Sequence, residues 1–241
     1  MIDPVRFLAL SAWLLACLFA PPADSSSFSA NPVRITLSAG TSSAALTLEN
    51  KGDQPVLVQA EVMAWSQQNG KDLLVPSRDL IVSPPIFKMA VGAAQIVRVG
   101  LQVTLSDLGR EVTYRLFLQE VPPPPPPGQQ GVSVALRLGI PVFVLPRGKV
   151  LPQPQWRVAR ADGGQIKLSL VNSGNAHIQA IDCRLYRADG TLIAEQQLNA
   201  YVLAGQAQSW QIKPSQPWRG EKLKLAARTD AGDVTVQIDP E

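Results

Sequence analysis

The sequence predicts an all-β chain, and three observations carry that expectation. Short runs of alternating apolar residues recur along its 241 residues, separated by Gly, Asn, Asp and Pro turn signals. No apolar pattern of helical period persists long enough for a convincing helix. The pattern pauses at Pro146-Arg147-Gly148-Lys149 and then restarts. Strands alternate in this way when each buries one face against an opposing sheet. About seven short strands at such spacing suggest an antiparallel sandwich of immunoglobulin type, and the restart suggests two of them.

The elements follow in chain order. Arg6 precedes the apolar run Phe7–Ala20, which Pro21, Pro22 and Ser25–Ser27 interrupt. The run is too short to span a bilayer and reads as an export signal. Cleavage fits after Ala20, Ala23 or Ala30, so residues 1–30 read as signal peptide and mature N-terminal tail. Leu14-Leu15-Ala16-Cys17 loosely resembles a bacterial lipoprotein box, with Cys17 either lipid-bearing or one more apolar residue of the signal. No later segment is long and apolar enough to cross a bilayer, so the mature chain reads as soluble, without stable membrane insertion. Signal removal leaves Cys183 alone, which points to a buried thiol and to stability from burial instead of disulfides.

Residues 31–146 form the first expected domain. Its strand-like runs are Arg34–Leu37, Ala44–Glu49, Val56–Trp65, Leu80–Val82, Ala94–Leu101, Thr113–Glu120 and Val132–Val144. Turn signals include Asn50-Lys51-Gly52-Asp53, Gln68-Asn69-Gly70 and Ser83-Pro84-Pro85, and residues 104–110 could form a short turn. The last run is unusual. Val132, Val134, Leu136, Leu138 and Ile140 alternate with Ser133, Ala135, Arg137, Gly139 and Pro141. Residues 131–144 would extend about 46 Å at about 3.3 Å per residue, well beyond a common strand. An apolar edge of that length invites pairing with another chain. The oligoproline Pro122–Pro127 before it reads as a stiff polyproline II loop or as a ligand for a Pro-binding module.

Residues 147–241 form the second expected domain. Its runs are Ile166–Val171, Ile178–Tyr186, Leu192–Gln197, Gln208–Ile212, Leu223–Ala227 and Val234–Ile238. Asn172-Ser173-Gly174-Asn175, Ala188-Asp189-Gly190 and Asp230-Ala231-Gly232 supply turns.

Composition excludes several function classes. The chain has 22 Lys and Arg against 19 Asp and Glu, without a basic patch that would favour nucleic acid. His177 is the only histidine and lies in a turn-like Gly-Asn-Ala-His context, where it reads as a surface or loop residue. There is no second His or Cys pair for a metal, no Gly-rich phosphate loop and no Gly-x-Ser-x-Gly. No catalytic residue, metal site or cofactor is therefore expected. Trp65, Trp156, Trp210 and Trp218 are spread over both blocks, which favours packing over a carbohydrate platform.

The segments Ile81-Val82-Ser83-Pro84-Pro85-Ile86-Phe87-Lys88 and Val91-Gly92-Ala93-Ala94-Gln95-Ile96-Val97-Arg98 resemble the signature of periplasmic pilus-assembly chaperones, the PapD-like family. Tyr114–Glu120 followed by Val121-Pro122-Pro123 is similar to that family's next strand and its exit, and Val134–Pro146 to the long last strand of its first domain. The match runs from Pro32 to Pro146. The second block matches more loosely, through Leu168–Asn175 and Thr229-Asp230-Ala231-Gly232. The resemblance implies two immunoglobulin-like domains in a boomerang arrangement. It implies a chaperone that caps a pilus subunit by donating a strand and delivers it to an outer-membrane usher, without cofactor.

Carried onto this chain, the resemblance makes Arg34 the base that grips the subunit's C-terminal carboxylate. A guanidinium suits that task through paired charge-assisted bonds. It makes Val132, Val134, Leu136, Leu138 and Ile140 the donated face, and Arg98, Glu111 and Asp230 an interdomain charge network. The family's second cleft base, a lysine, falls on Pro141. Arg137 shares its face but lies four residues, about 13 Å, away. That departure points to a divergent branch, like the chaperones accompanying spore-coat-U-type pilins. The alternative class is an exported immunoglobulin-like adhesion or scaffold module, anchored as a lipoprotein through Cys17.

Overall fold

The computed structural model describes residues 27–102, 109–123 and 134–240. The signal-like run, Cys17, the turn expected within 104–110, most of the oligoproline and Val132 lie wholly or largely outside them. The first part of the chain forms β1 (Phe28–Asn31), β2 (Ile35–Leu37), β3 (Ser43–Asn50), β4 (Val56–Gln68) and β5 (Lys71–Pro76). It continues through β6 (Leu80–Ser83), β7 (Ile86–Met89), β8 (Ala94–Leu101), β9 (Val112–Glu120) and β10 (Arg137–Val144). One sheet has the order β1-β3-β8-β6, the other β2-β10-β9-β4-β5, with β7 also paired to β4.

The two sheets share one core because their inward positions alternate as the sequence does. Leu46 and Leu48 on β3, and Val97 and Val99 on β8, join Val58, Val62, Leu116, Leu118, Ile140 and Val142 from the second sheet. The sheet starts earlier than the sequence suggests. Ala30 pairs with Leu48 in β1 and packs on the core, so the segment read as a tail contains an ordered strand. Cleavage after Ala30 would remove most of it.

The second part forms β11 (Pro154–Ala161), β12 (Gln165–Asn172), β13 (Ile178–Tyr186), β14 (Leu192–Val202), β15 (Ala207–Ile212), β16 (Leu223–Thr229) and β17 (Gly232–Ile238). Their sheets have the orders β11-β12-β15 and β14-β13-β16-β17. Ile166, Leu168, Leu170, Ile178, Leu185 and Leu225 are among a second core, which also encloses Cys183. Burial pushes that thiol up to about 12, so it stays neutral and unreactive. The only helical turn among the described residues is Asp162–Gly164. Trp156 and Trp210 stack, with ring centres 6.3 Å apart, and Trp218 is buried. These tryptophans pack as expected.

A separate, smaller apolar cluster joins the two halves. Trp65 and Phe143 from the first meet Leu203 from the second, with Tyr201 packed against them. The β4–β5 hairpin reaches across beside it. Its Asn69 and Gly70 both have positive φ, as a two-residue Asn-Gly hairpin turn requires. Gln67 Nε2 donates to Tyr201 O at 2.9 Å, and Gln67 Oε1 accepts from the Leu203 N–H at 3.0 Å.

Candidate functional site

β10 divides into two halves with different surroundings. From Val142 to Val144 it pairs on both sides, antiparallel to β9 and parallel to β2. From Arg137 to Pro141 it pairs only with β9 among the described residues. The Glu120 N–H donates to Leu136 O, and the Leu145 N–H donates to Leu37 O, both at 2.9 Å. Backbone groups alternate in direction along a strand, so Arg137, Gly139 and Pro141 turn theirs toward the open edge. A proline is tolerated at such an edge because it has no N–H to leave unpaired.

The five side chains expected on one donated face lie at different depths. Val132 falls outside the described residues. Val134 is 77% exposed, Leu136 and Leu138 are half-buried, and Ile140 is 1% exposed inside the first core. Ile140 is therefore a core residue and not a side chain available to a partner, and Leu138 also packs against that core. The paired strand begins at Arg137, later than the sequence suggests, with the Leu136 N–H held by Glu120 Oε2 at 3.2 Å. Arg137 lies over the Phe117 ring at 3.7 Å, on the face away from the core.

Arg34 precedes β2 at the inner end of the open edge. It is not a free base: its Nη1 donates to Asp230 Oδ2 at 2.7 Å. Asp230 Oδ1 also accepts from the Gln179 N–H at 2.8 Å. Glu111, its side chain fully buried, faces His177 Nδ1 at 2.8 and 2.9 Å. His177 Nε2 lies 3.5 Å from Asp230 Oδ2. Glu111 and Asp230 are brought together through His177, and Arg98 does not join them. It is exposed on β8, cross-strand from Ala45 and Ser83, and no bond to either acid is present among the described residues. The basic groups in the cluster are Arg34 and His177.

His177 was missed as a site residue because a lone histidine after a turn carries little signal. Its position follows from buried Asn172. Asn172 Oδ1 accepts from the Gly174 and Gln153 N–H groups, both at 3.1 Å, while Nδ2 donates to Ala176 O at 2.7 Å. A Cβ on Gly174 would come within 2.1 Å of Leu151 O, so only glycine lets the turn lie against the interdomain segment. The next residue, Asn175, accepts from the Glu111 N–H through its carbonyl at 2.8 Å. That carries His177 onto Glu111, where its ring stacks on Phe143 with centres 3.5 Å apart.

The electrostatics follow from this enclosure. Burial pushes the His177 pKa down, but hydrogen bonds and charges from Asp230 and Glu111 outweigh it and the net shift is upward. Burial would raise Asp230; His177, the Gln179 N–H and Arg34 together hold it below the usual carboxylate range. Both imidazole nitrogens face acids, an arrangement that suits the doubly protonated ring. Trp65 Nε1–H, beside this cluster, is buried without an acceptor among the described residues.

Fold and junction together define a class: a two-sandwich β protein whose first sandwich keeps one strand edge open beside a charged cleft. The family model for the pili and flagellar-assembly chaperones, PapD N-terminal domain, matches residues 27–149. The chain belongs to that family, one of pilus-assembly chaperones. Among solved structures, a chain of the CsuC–CsuE chaperone–tip adhesion subunit pre-assembly complex from Acinetobacter baumannii archaic chaperone-usher Csu pili is 24% identical, with a TM-score of 0.63. The match covers 89% of this chain and 99% of that one. A chain of the Salmonella enterica SafA pilin–SafB chaperone complex gives 18% identity and 0.62, over 89% and 99%. The E. coli chaperone DraB gives 19% and 0.58, over 90% and 96%. At these identities the likeness is one of fold. No curated protein sequence matches the chain.

Proposed function

We propose that this protein is an exported periplasmic chaperone that captures pilus subunits by adding a strand to them and releases them to an outer-membrane usher. The supporting observation is the half-open β10. Among the described residues, Arg137–Pro141 has backbone groups without a strand partner on one edge, preceded by exposed Val134 and half-buried Leu136. A subunit lacking a strand would gain a backbone ladder from that edge and apolar contacts from alternate side chains. The donating residues are Val132, Val134, Leu136 and the outer part of Leu138, with Ile140 holding the strand in its own core. Arg34 lies at the inner end of the edge, where it can take up a carboxylate. Residues 31–146, together with β1, act as the subunit-holding domain, and residues 147–241 close the cleft. Chaperoning of this kind uses no cofactor; folding of the subunit drives later exchange.

The test is coexpression with each small exported subunit encoded beside the gene, followed by purification from periplasmic extract. A soluble one-to-one complex is expected from the wild-type chain and none from Val134→Asp. Retention of the chain in membranes through Cys17, with no subunit bound, would instead support an adhesion or scaffold module.

A further inference from the structure

We propose that Gln67 positions the two sandwiches for subunit capture: its carboxamide stands beside β14 as a strand residue would, and through it the β4–β5 hairpin sets the angle of the cleft. The part that concerns capture rests on the strand-donation reading above.

The bond pattern carries the assignment. β14 lies at the edge of its sheet, with β13 as its one strand partner among the described residues. A residue of a parallel strand donates to the carbonyl before its partner residue and accepts from the N–H after it. Gln67 does both across Val202. Its Nε2 donates to Tyr201 O at 2.9 Å, and its Oε1 accepts from the Leu203 N–H at 3.0 Å. Nε2 also donates to Oδ1 of Asp72, its cross-strand neighbour on β5, at 2.9 Å. Both amide hydrogens and the oxygen are thus engaged. Turned over, the amide would set its oxygen against two acceptors, Tyr201 O and Asp72 Oδ1, so a single orientation satisfies the site.

The hairpin meets the second sandwich at more than one point. Trp65 and Gln67 share a face of β4, by the period of two, and both turn toward that sandwich. Trp65 clusters there with Leu203. At the tip, a Cβ on Gly70 would come within 2.8 Å of Gln208 Oε1 on β15. β14 and β15 belong to different sheets, so the hairpin touches both layers of the second sandwich. Domains joined by a small interface move against each other unless a specific contact stops them. The charged cluster holds the second sandwich at His177 and Asp230. A hold at one place leaves rotation about it, and the hairpin removes that freedom. A cleft correctly set for only part of the time would bind its partner more weakly by that fraction.

The experiment measures residual dipolar couplings in the full chain without a partner, and then recovery of the pilus subunit encoded beside the gene. Wild-type couplings from the two sandwiches are expected to fit one alignment tensor. Gln67→Glu keeps the shape but places a carboxylate against Tyr201 O and Asp72. Gln67→Leu removes the bonds without adding charge, and either variant serves if the other does not fold. In both, each sandwich should keep its own amide protection while the two require separate tensors. Subunit recovery should fall about 5-fold, as loss of hydrogen bonds of ordinary strength implies. Asp72→Ala, which frees the amide but keeps its bonds to Tyr201 and Leu203, should fall between. A single tensor in a folded Gln67→Leu chain, or separate tensors in the wild type, would overturn the positioning role. Separate tensors with undiminished recovery would overturn its link to capture. Wild-type chain that captures no subunit would overturn the strand-donation reading, and the couplings would still decide the role of Gln67. Val134→Asp separates the two effects: it should lose capture with a single tensor retained.

Discussion

The two halves of β10 differ more from each other than many separate strands do. Ile140 through Val144 are buried without interruption, and the last three are paired on both edges. One face of this half meets the first core, while Phe143 on the other meets His177, Trp65 and Tyr201 at the junction. Before Ile140 the strand alternates, one edge is open, and burial decreases back to Val134. The anchored half fixes the direction and register of the open half. An edge held in place before a partner arrives loses less conformational freedom on binding than a loose segment would. Stability and capture should therefore respond to different residues of the same strand.

The largest separation is expected between Ile140→Asp and Val134→Asp. The first places an unpaired carboxylate in the core and should cost about 4 kcal/mol or more, read as failure to recover folded protein. The second should change stability by less than about 0.5 kcal/mol yet abolish subunit capture. It should also impair capture more than Ser133→Asp does; equal effects would contradict the assignment of the donated face. Phe143→Ala comes next. It opens the small junction cluster and should lower stability by about 3 kcal/mol in denaturant unfolding. Arg34→Ala should be milder, because its pair with Asp230 is partly exposed and such pairs contribute about 1 kcal/mol or less. Capture should nevertheless be lost with it; unchanged complex yield would remove Arg34 from the anchor.

Part of this contrast was legible in the sequence. Alternation over residues 132–140 marks an overlong strand with one apolar face, but it does not mark where that face turns from open to buried, and Ile140, expected on the donated face, lies in the core. β8 and β13 fall where the apolar runs place them. β1, β5, β7 and β11 were less visible for physical reasons. β5 is exposed along its whole length, β1 and β7 have four residues each, and β11 begins at a proline and is largely exposed or half-buried. The charge network was read incompletely because it depends on contacts between distant segments. Arg34 and Asp230 are 196 residues apart, and no spacing rule joins them. Arg98 has the local sequence context expected of a network member, but its strand turns it outward.

The smallest expected effect tests whether the junction is as closely integrated as the anchored half of β10 suggests. His177 links Glu111 to Asp230 and stacks on Phe143, so its protonation acts directly on the contact between the sandwiches. Its folded pKa lies above the ordinary value. The stabilisation is therefore fully present below about pH 6.5, where the ring is protonated even in the unfolded chain, and is lost as pH rises through the folded pKa. Asp230 acts in the opposite direction: its lowered pKa gives stability that is present above the usual carboxylate range and lost on strong acidification. The wild-type thermal midpoint should accordingly fall between about pH 6 and about pH 8, and His177→Gln should flatten that dependence. Val134→Asp, at the open end of the strand, should leave the slope unchanged. A slope that survives in His177→Gln would place the titrating group elsewhere and sever the link between β10's anchored half and the charged cluster.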